Sequence, residues 1–262
     1  MSRPNRLKSR LAAGDACVGC WLTLGSAAVA DVLAGAGFDA FIIDHEHGPH
    51  DITAALGQMR AAATGETTIV MRVPGHDPTY VRQALDAGVE GLLIPNVVSA
   101  DDAEAVVAAC RYPPQGQRGV GHRVIRASDF GRKAGEYLAS ANDRLAIICQ
   151  IESADAIDNV AAIGAVDGVD ALFIGPVDLS ASNGKPGAFD DPEVQALIAR
   201  AEARILEASM PLGGVLYGSE SARSLFDKGY RLVAPVGDVA LLRDGARAVL
   251  DNLKAVRRGA AP

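Results

Sequence analysis

Short apolar runs and amphipathic runs alternate along the chain. The apolar runs are CVGCWL (17–22), AFIID (40–44), TIVMR (68–72), GLLIP (91–95), LAIICQ (145–150), ALFIG (171–175), GGVL (213–216) and RLVAPV (231–236). Each is short and apolar at consecutive positions, the pattern of a strand covered on both faces in a parallel sheet. Helix signals separate them. Asp77-Pro78 opens a helix that Gly88 stops, Ser99 opens another, Ser153 opens one stopped by Gly164, and Asp191-Pro192 opens a fourth. A cap oxygen satisfies otherwise orphaned amides, and proline fits the first helical position. Further amphipathic runs cover about 26–36, 51–63, 219–228 and 237–255. Eight strand–helix units in about 250 residues predict a (β/α)8 TIM barrel, a single domain over 1–262. A doubly wound sheet is the alternative, but it rarely has eight such even units, and no G-x-G-x-x-G follows the first strand. The connection from 111 to 144 interrupts the rhythm. Its first half, RYPPQGQRGVGHRVIRASDFGR, has the composition of an ordered functional loop.

In a barrel the active site forms at the C-terminal ends of the strands, so unusual polar residues should collect there. They do. Trp21 ends the first run and DHEHGPH (44–50) follows the second. Arg72 ends the third, Pro95-Asn96 the fourth, and Gln150-Ile151-Glu152 the fifth. Gly175-Pro176-Val177-Asp178 follows the sixth, Leu216-Tyr217 ends the seventh and Gly237-Asp238 the eighth.

Composition narrows the chemistry. A net charge of −7 argues against a nucleic-acid binder, which would carry a basic face. No apolar run approaches the ~20 residues of a membrane helix, and the N-terminus has no signal-peptide core. Cys17 and Cys20 form a C-x-x-C, but alternation along a strand places them on opposite faces. Buried free thiols in a reducing cytoplasm are the expectation.

Glu152 and Asp178 follow adjacent strands, about 4.8 Å apart, so their carboxylates can converge on one cation. Two oxygen ligands completed by water or substrate suit Mg²⁺ or Mn²⁺, which would polarise a carbonyl and stabilise an enolate. Arg72 brings a second positive charge and a nearby histidine moves a proton. A zinc hydrolase competes through HEH, although His50, His76 and His122 do not end strands. A Schiff-base aldolase needs a strand-end lysine, and of the five lysines only Lys185, after the sixth strand, stays open. A catalytically silent oxo-acid binding protein is the alternative of a different class.

At these residues the chain resembles the HpcH/HpaI aldolase family. The likeness is carried by GAGFDAFIIDHEHGP, MRVPGHDPTYVRQALDAGVEGLLIPNV, RYPPQGQRGVG, QIESADAIDNV and VDALFIGPVDLSAS, and covers nearly the whole chain. It implies a class II pyruvate aldolase using a divalent metal (Mg²⁺, Mn²⁺ or Co²⁺) to cleave 4-hydroxy-2-oxo acids to pyruvate, or a related 2-oxo acid, and an aldehyde. Another lyase or decarboxylase reaction on an oxo acid such as oxaloacetate is the nearest alternative. The resemblance also implies that the last helix packs on a neighbouring subunit of a homohexamer, a trimer of dimers.

By motif, Glu152 and Asp178 resemble the metal ligands and Arg72 the arginine on the pyruvate carbonyl. His47 resembles the base, Asp86 its acidic partner, and Asp44 the strand-end acid. Gln150, Gly175, Pro176 and Val177 would line the pyruvate pocket, and Trp21 and Leu216 the aldehyde side. The chain departs from the family pattern at His45, where a glycine is usual, at GHRVIRASDFGR, which adds His122 and Arg123, and at LVAPVGD. These departures mark His45 and Arg123 as candidate contacts to the aldehyde.

Overall fold

A computed structural model describes residues 4–259, with side chains to Lys254. In chain order the elements are α1 (Arg6–Ala12), β1 (Cys17–Leu22), α2 (Ala27–Ala34), β2 (Ala40–Asp44), α3 (Ile52–Ala62), β3 (Thr68–Arg72), α4 (Pro78–Ala87), β4 (Gly91–Ile94), α5 (Ala100–Cys110), α6 (Ala134–Arg144), β5 (Ala146–Ile151), α7 (Ala154–Asp158), α8 (Val160–Gly164), β6 (Ala171–Ile174), α9 (Pro176–Ser182), α10 (Pro192–Glu207), β7 (Leu212–Val215), α11 (Ala222–Asp227), β8 (Tyr230–Gly237) and α12 (Asp238–Gly259). The eight strands are parallel, pair in sequence order and close β8 onto β1. This is the (β/α)8 barrel. Among the described residues no helix is long and apolar enough to cross a membrane.

Strand alternation divides the apolar residues into two cores. Cys17, Ala40, Ile42, Val70, Leu93, Ile148, Ala171, Phe173, Leu232 and Ala234 fill the barrel. The other set, including Cys20, Phe41, Ile43, Met71, Leu92 and Cys149, faces the surrounding helices. Cys17 and Cys20 thus lie on opposite faces, and all four cysteines are free and buried.

The same two-residue step that places Ile42, Val70 and Ile148 inside carries Asp44, Arg72 and Gln150 to the upper rim. At the other end α1 closes the barrel. Leu7 and Leu11 join the interior core, and the Asn5 side chain donates to Glu90 O at 2.7 Å and Arg144 O at 2.9 Å. The N-terminal pattern gave no sign of this helix, because α1 exposes only two leucines to the core and carries four charged or polar residues besides. The helix expected over 153–164 is broken at Asn159 (φ −97°, ψ 3°), whose side-chain amide donates to Val98 O at 2.8 Å.

Candidate active site

The parallel register sets Asp44 opposite Arg72. Arg72 Nε donates to Asp44 Oδ1 at 2.9 Å and Nη2 to Oδ2 at 2.7 Å, a bidentate pair buried at the rim. Nη1 lies 2.9 Å from Glu46 Oε2, without the alignment of a hydrogen bond. The guanidinium sits over the Trp21 ring at 4.6 Å. Of the five N–H donors of Arg72, two are committed to Asp44, so others remain for a ligand. Burial on its own would raise the Asp44 carboxyl. The Arg72 bonds and charge, with the amides of His47 and Glu46, outweigh it and hold the acid below its usual range.

Across the mouth the charges do not balance. Glu152 is 4 % exposed. Its Oε1 accepts from Asn96 N at 2.6 Å and its Oε2 from Gln150 Nε2 at 2.7 Å. Burial pushes its pKa up to about 7, Glu46 and Asp178 push further, and the Asn96 amide and Arg72 only partly oppose them. Glu46 is raised as well, first by burial, with Arg72 and His47 opposing. Asp178 is exposed in the first turn of α9. A Cβ on Gly175 would fall 2.6 Å from Glu152 Oε2, so glycine keeps the space beside that carboxylate open. Gln150 Oε1 is buried without a partner.

This donor set fits a hard divalent cation: carboxylate oxygens in negative surplus, with open space beside one of them. Among the described residues no group of three or more His, Cys, Asp or Glu could hold a metal ion, so water or substrate must complete any shell on this pair. Of the histidines that a zinc site would draw on, His45 turns Nδ1 to Tyr80 and His76 Nε2 lies 2.6 Å from Pro95 O. The Schiff-base reading loses its lysine. Lys185 Nζ donates to Asp191 and Glu193, and these bonds raise its pKa, which keeps it protonated.

Residues 17–244 match the family described as HpcH/HpaI aldolase/citrate lyase. The chain belongs to that family. It is a carbon–carbon lyase of the aldolase kind. It is 42 % identical over 245 residues to a 4-hydroxy-2-oxo-heptane-1,7-dioate aldolase of Salmonella dublin, covering 94 % of this chain and 93 % of that one. An HpcH/HpaI aldolase/citrate lyase family protein from Burkholderia cenocepacia J2315 superposes with a TM-score of 0.91 at 39 % identity, covering 95 % of this chain and 99 % of that one. An HpcH/HpaI aldolase from Desulfitobacterium hafniense DCB-2 gives a TM-score of 0.85 at 30 % identity, covering 95 % and 96 %.

Within this HpcH/HpaI barrel, Asp44, Arg72, Trp21, Gln150, Glu152, Gly175 and Pro176 stand at one mouth, with Val177 and Asp178 exposed beside them. His47 is on the same rim. Its side chain is 63 % exposed and its Nε2 lies 4.0 Å from Glu46 Oε2.

Four expected residues stand elsewhere. Asp86, near the C-terminal end of α4, pairs with Arg118 Nη2 at 2.7 Å rather than with His47, because α4 runs back from the mouth. Arg123 is exposed on the long loop, whose flanking Arg118 and Arg126 are tied to Asp86 and Ala87 O. His45 is buried against Tyr80. Leu216 packs with the outer core, and Val215, one residue earlier, faces the interior beside Trp21. A cavity of about 430 Å³ bounded by Asn5, Gly88, Arg118, Arg126 and Tyr137 lies under this loop, away from the mouth.

Glu46 carries no expected role beyond supporting its loop or a metal's water shell, and Tyr80 carries none. Glu46 was readable from its place between Asp44 and His47. Tyr80, the last residue of MRVPGHDPTY, left no such signal.

Proposed function

We propose that the chain is a divalent-cation-dependent aldolase that cleaves 4-hydroxy-2-oxo acids to pyruvate, or a related 2-oxo acid, and an aldehyde. The observation that carries this reading is a fixed Asp44–Arg72 pair beside the charge-crowded Glu152 at one barrel mouth. The relatives named 4-hydroxy-2-oxo-heptane-1,7-dioate aldolase support the substrate class.

Glu152 and Asp178 would hold the cation, with Mg²⁺, Mn²⁺ and Co²⁺ as candidates. When bound, it supplies Lewis-acid stabilisation of negative charge on the oxo-acid oxygen. Gln150 and Asn96 hold the Glu152 carboxylate in place. Free N–H donors of Arg72 would receive the C2 oxygen, where charge collects as the bond breaks. In the cleavage, the C4 hydroxyl loses its proton, the C3–C4 bond breaks, and its electron pair moves toward the C2 oxygen. The aldehyde leaves, and the pyruvate enolate then takes a proton at C3. His47 would accept the hydroxyl proton, directly or through water, with Glu46 stabilising the imidazolium. Gln150, Gly175, Pro176 and Val177 would line the oxo-acid end, and Trp21 the aldehyde side.

The aldehyde end would lie between subunits of a homo-oligomer, and a hexamer is the proposed assembly. Asp86 and Arg123 lie away from this chain's own mouth, and a second copy would be needed to bring them to one. Val120, Val124 and Phe130 on the long loop and Leu242, Val249, Leu250 and Leu253 on α12 leave apolar surface exposed for such contacts. One barrel domain and a reducing, cytoplasmic setting complete the proposal, the latter supported by four free buried thiols.

Incubation with pyruvate in D₂O and Mn²⁺ or Mg²⁺ tests the reading. The methyl protons should exchange, and EDTA or Glu152→Ala should stop the exchange. Exchange that persists under either treatment would overturn it.

A further inference from the structure

The segment from Asp44 to Asp51 carries three histidines, and the site described above uses one. His45 and His50 pack together away from Arg72. His45 is 6 % exposed, and its Nδ1 lies 2.5 Å from the Tyr80 hydroxyl in the first turn of α4. The His50 ring meets His45 edge-on at 4.7 Å between centroids, and Tyr80 meets it at 5.9 Å. His50 itself lies against two glycine backbones. A Cβ on Gly25, between β1 and α2, would fall 2.8 Å from His50 Cβ, and one on Gly48 would fall 2.7 Å from its Nε2. The row Tyr80–His45–His50 therefore joins the segments that follow β1, β2 and β3.

This row is a costly way to fill space. Among the described residues, His45 Nε2 and both ring nitrogens of His50 are buried without a hydrogen-bond partner. A buried polar atom left unpaired loses its hydration without compensation, and apolar rings would avoid that loss. Burial, then His50, holds His45 well toward the neutral form against Asp44 and Asp51, at a pKa of about 4. A neutral imidazole has one donor and one acceptor nitrogen, and the Tyr80 hydroxyl can meet either at Nδ1, so the ring orientation is fixed. The turn that carries Glu46 and His47 runs between His45 and His50 in the chain. The amides of Glu46 and His47 donate to Asp44 Oδ1, at 3.1 Å and 3.3 Å, the oxygen that also receives Arg72 Nε.

We propose that His45, His50 and Tyr80 are positioning residues that set how far Glu46 and His47 reach into the mouth. The kinetic consequence rests on the aldolase reading above; the structural one does not. His45→Ala, His50→Ala and Tyr80→Phe in the full chain test both.

In retro-aldol turnover of a 4-hydroxy-2-oxo acid with Mn²⁺, kcat should fall roughly 10- to 100-fold in the alanine variants, as for lost supports of a placed catalytic group. It should fall about 3-fold in Tyr80→Phe, and KM should stay within about 2-fold. In amide hydrogen exchange, the Glu46 and His47 amides should open about 10-fold faster while β2 and β3 keep their protection. Unchanged kcat with unchanged protection of these two amides overturns the proposal. If an alanine variant loses protection throughout the barrel, Tyr80→Phe, which removes one oxygen, decides by the same two readouts. If the wild-type chain shows no turnover, the aldolase reading fails, and the exchange of the Glu46 and His47 amides alone upholds or overturns the positioning role.

Discussion

The two sides of the mouth are built on opposite principles. On the β2–β3 side every charge has a partner: Asp44 holds Arg72 by two bonds, Glu46 stands against the third nitrogen and Trp21 covers the guanidinium face. On the β5–β6 side Glu152 has only neutral partners, with Asp178 and Glu46 adding repulsion. The first side is complete in the protein alone. The second stores unfavourable electrostatics that a cation would relieve. Preorganised charge costs no rearrangement during reaction, whereas unbalanced charge supplies binding energy for what is missing.

Breaking the balanced side should have the largest effect. Arg72→Ala should lower kcat/KM by about 10³-fold or more, on the order of 4 kcal/mol, because it removes the clamp and leaves two buried acids unpaired. Steady-state kinetics read this directly, and Arg72→Lys should recover little, since an ammonium lacks the fork that fits Asp44. On the unbalanced side, Gly175→Ala places a methyl 2.6 Å from Glu152 Oε2. Mn²⁺ affinity should weaken roughly 10- to 100-fold, measurable by titration of the Mn²⁺ resonance signal. Trp21→Leu should leave metal affinity alone and cost about 0.5–2 kcal/mol in kcat/KM, from the lost cation–π contact with Arg72.

The smallest effect concerns stability. An unfolded histidine titrates at the ordinary value of about 6.5, whereas burial holds His45 at about 4 in the folded chain, so the unfolded chain binds the proton first. Stability is therefore intact above about pH 6.5, falls as the pH drops toward 4 and levels off below. In His45→Phe that slope should flatten, as read by urea midpoints across this pH window.

The strands and the rim were legible because both depend on local pattern. Eight buried apolar runs announce a covered parallel sheet, and a two-residue step extends each run to its strand-end polar residue. Contacts between distant segments were not legible. Asp86 looks like an active-site acid until Arg118 is seen beside it, thirty-two residues further along. The direction of His45 depends on Tyr80, which belongs to α4. Leu216 stands one residue past the end of β7 and packs with the outer core, while Val215 packs with the interior. Such placements are set by tertiary neighbours, not by composition.

The helix that closes the underside of the barrel has a consequence for synthesis. α1 leaves the ribosome before any strand, yet the interior residues that Leu7 and Leu11 join extend to Leu232 and Ala234. Its other anchors, Glu90 O and Arg144 O, are also made later. Roughly 220 residues must be added between Leu7 and Leu232, on the order of 10–45 s at ordinary translation rates. Through that interval the stopper waits with its leucines uncovered, and an element made before any strand is among the last to be seated.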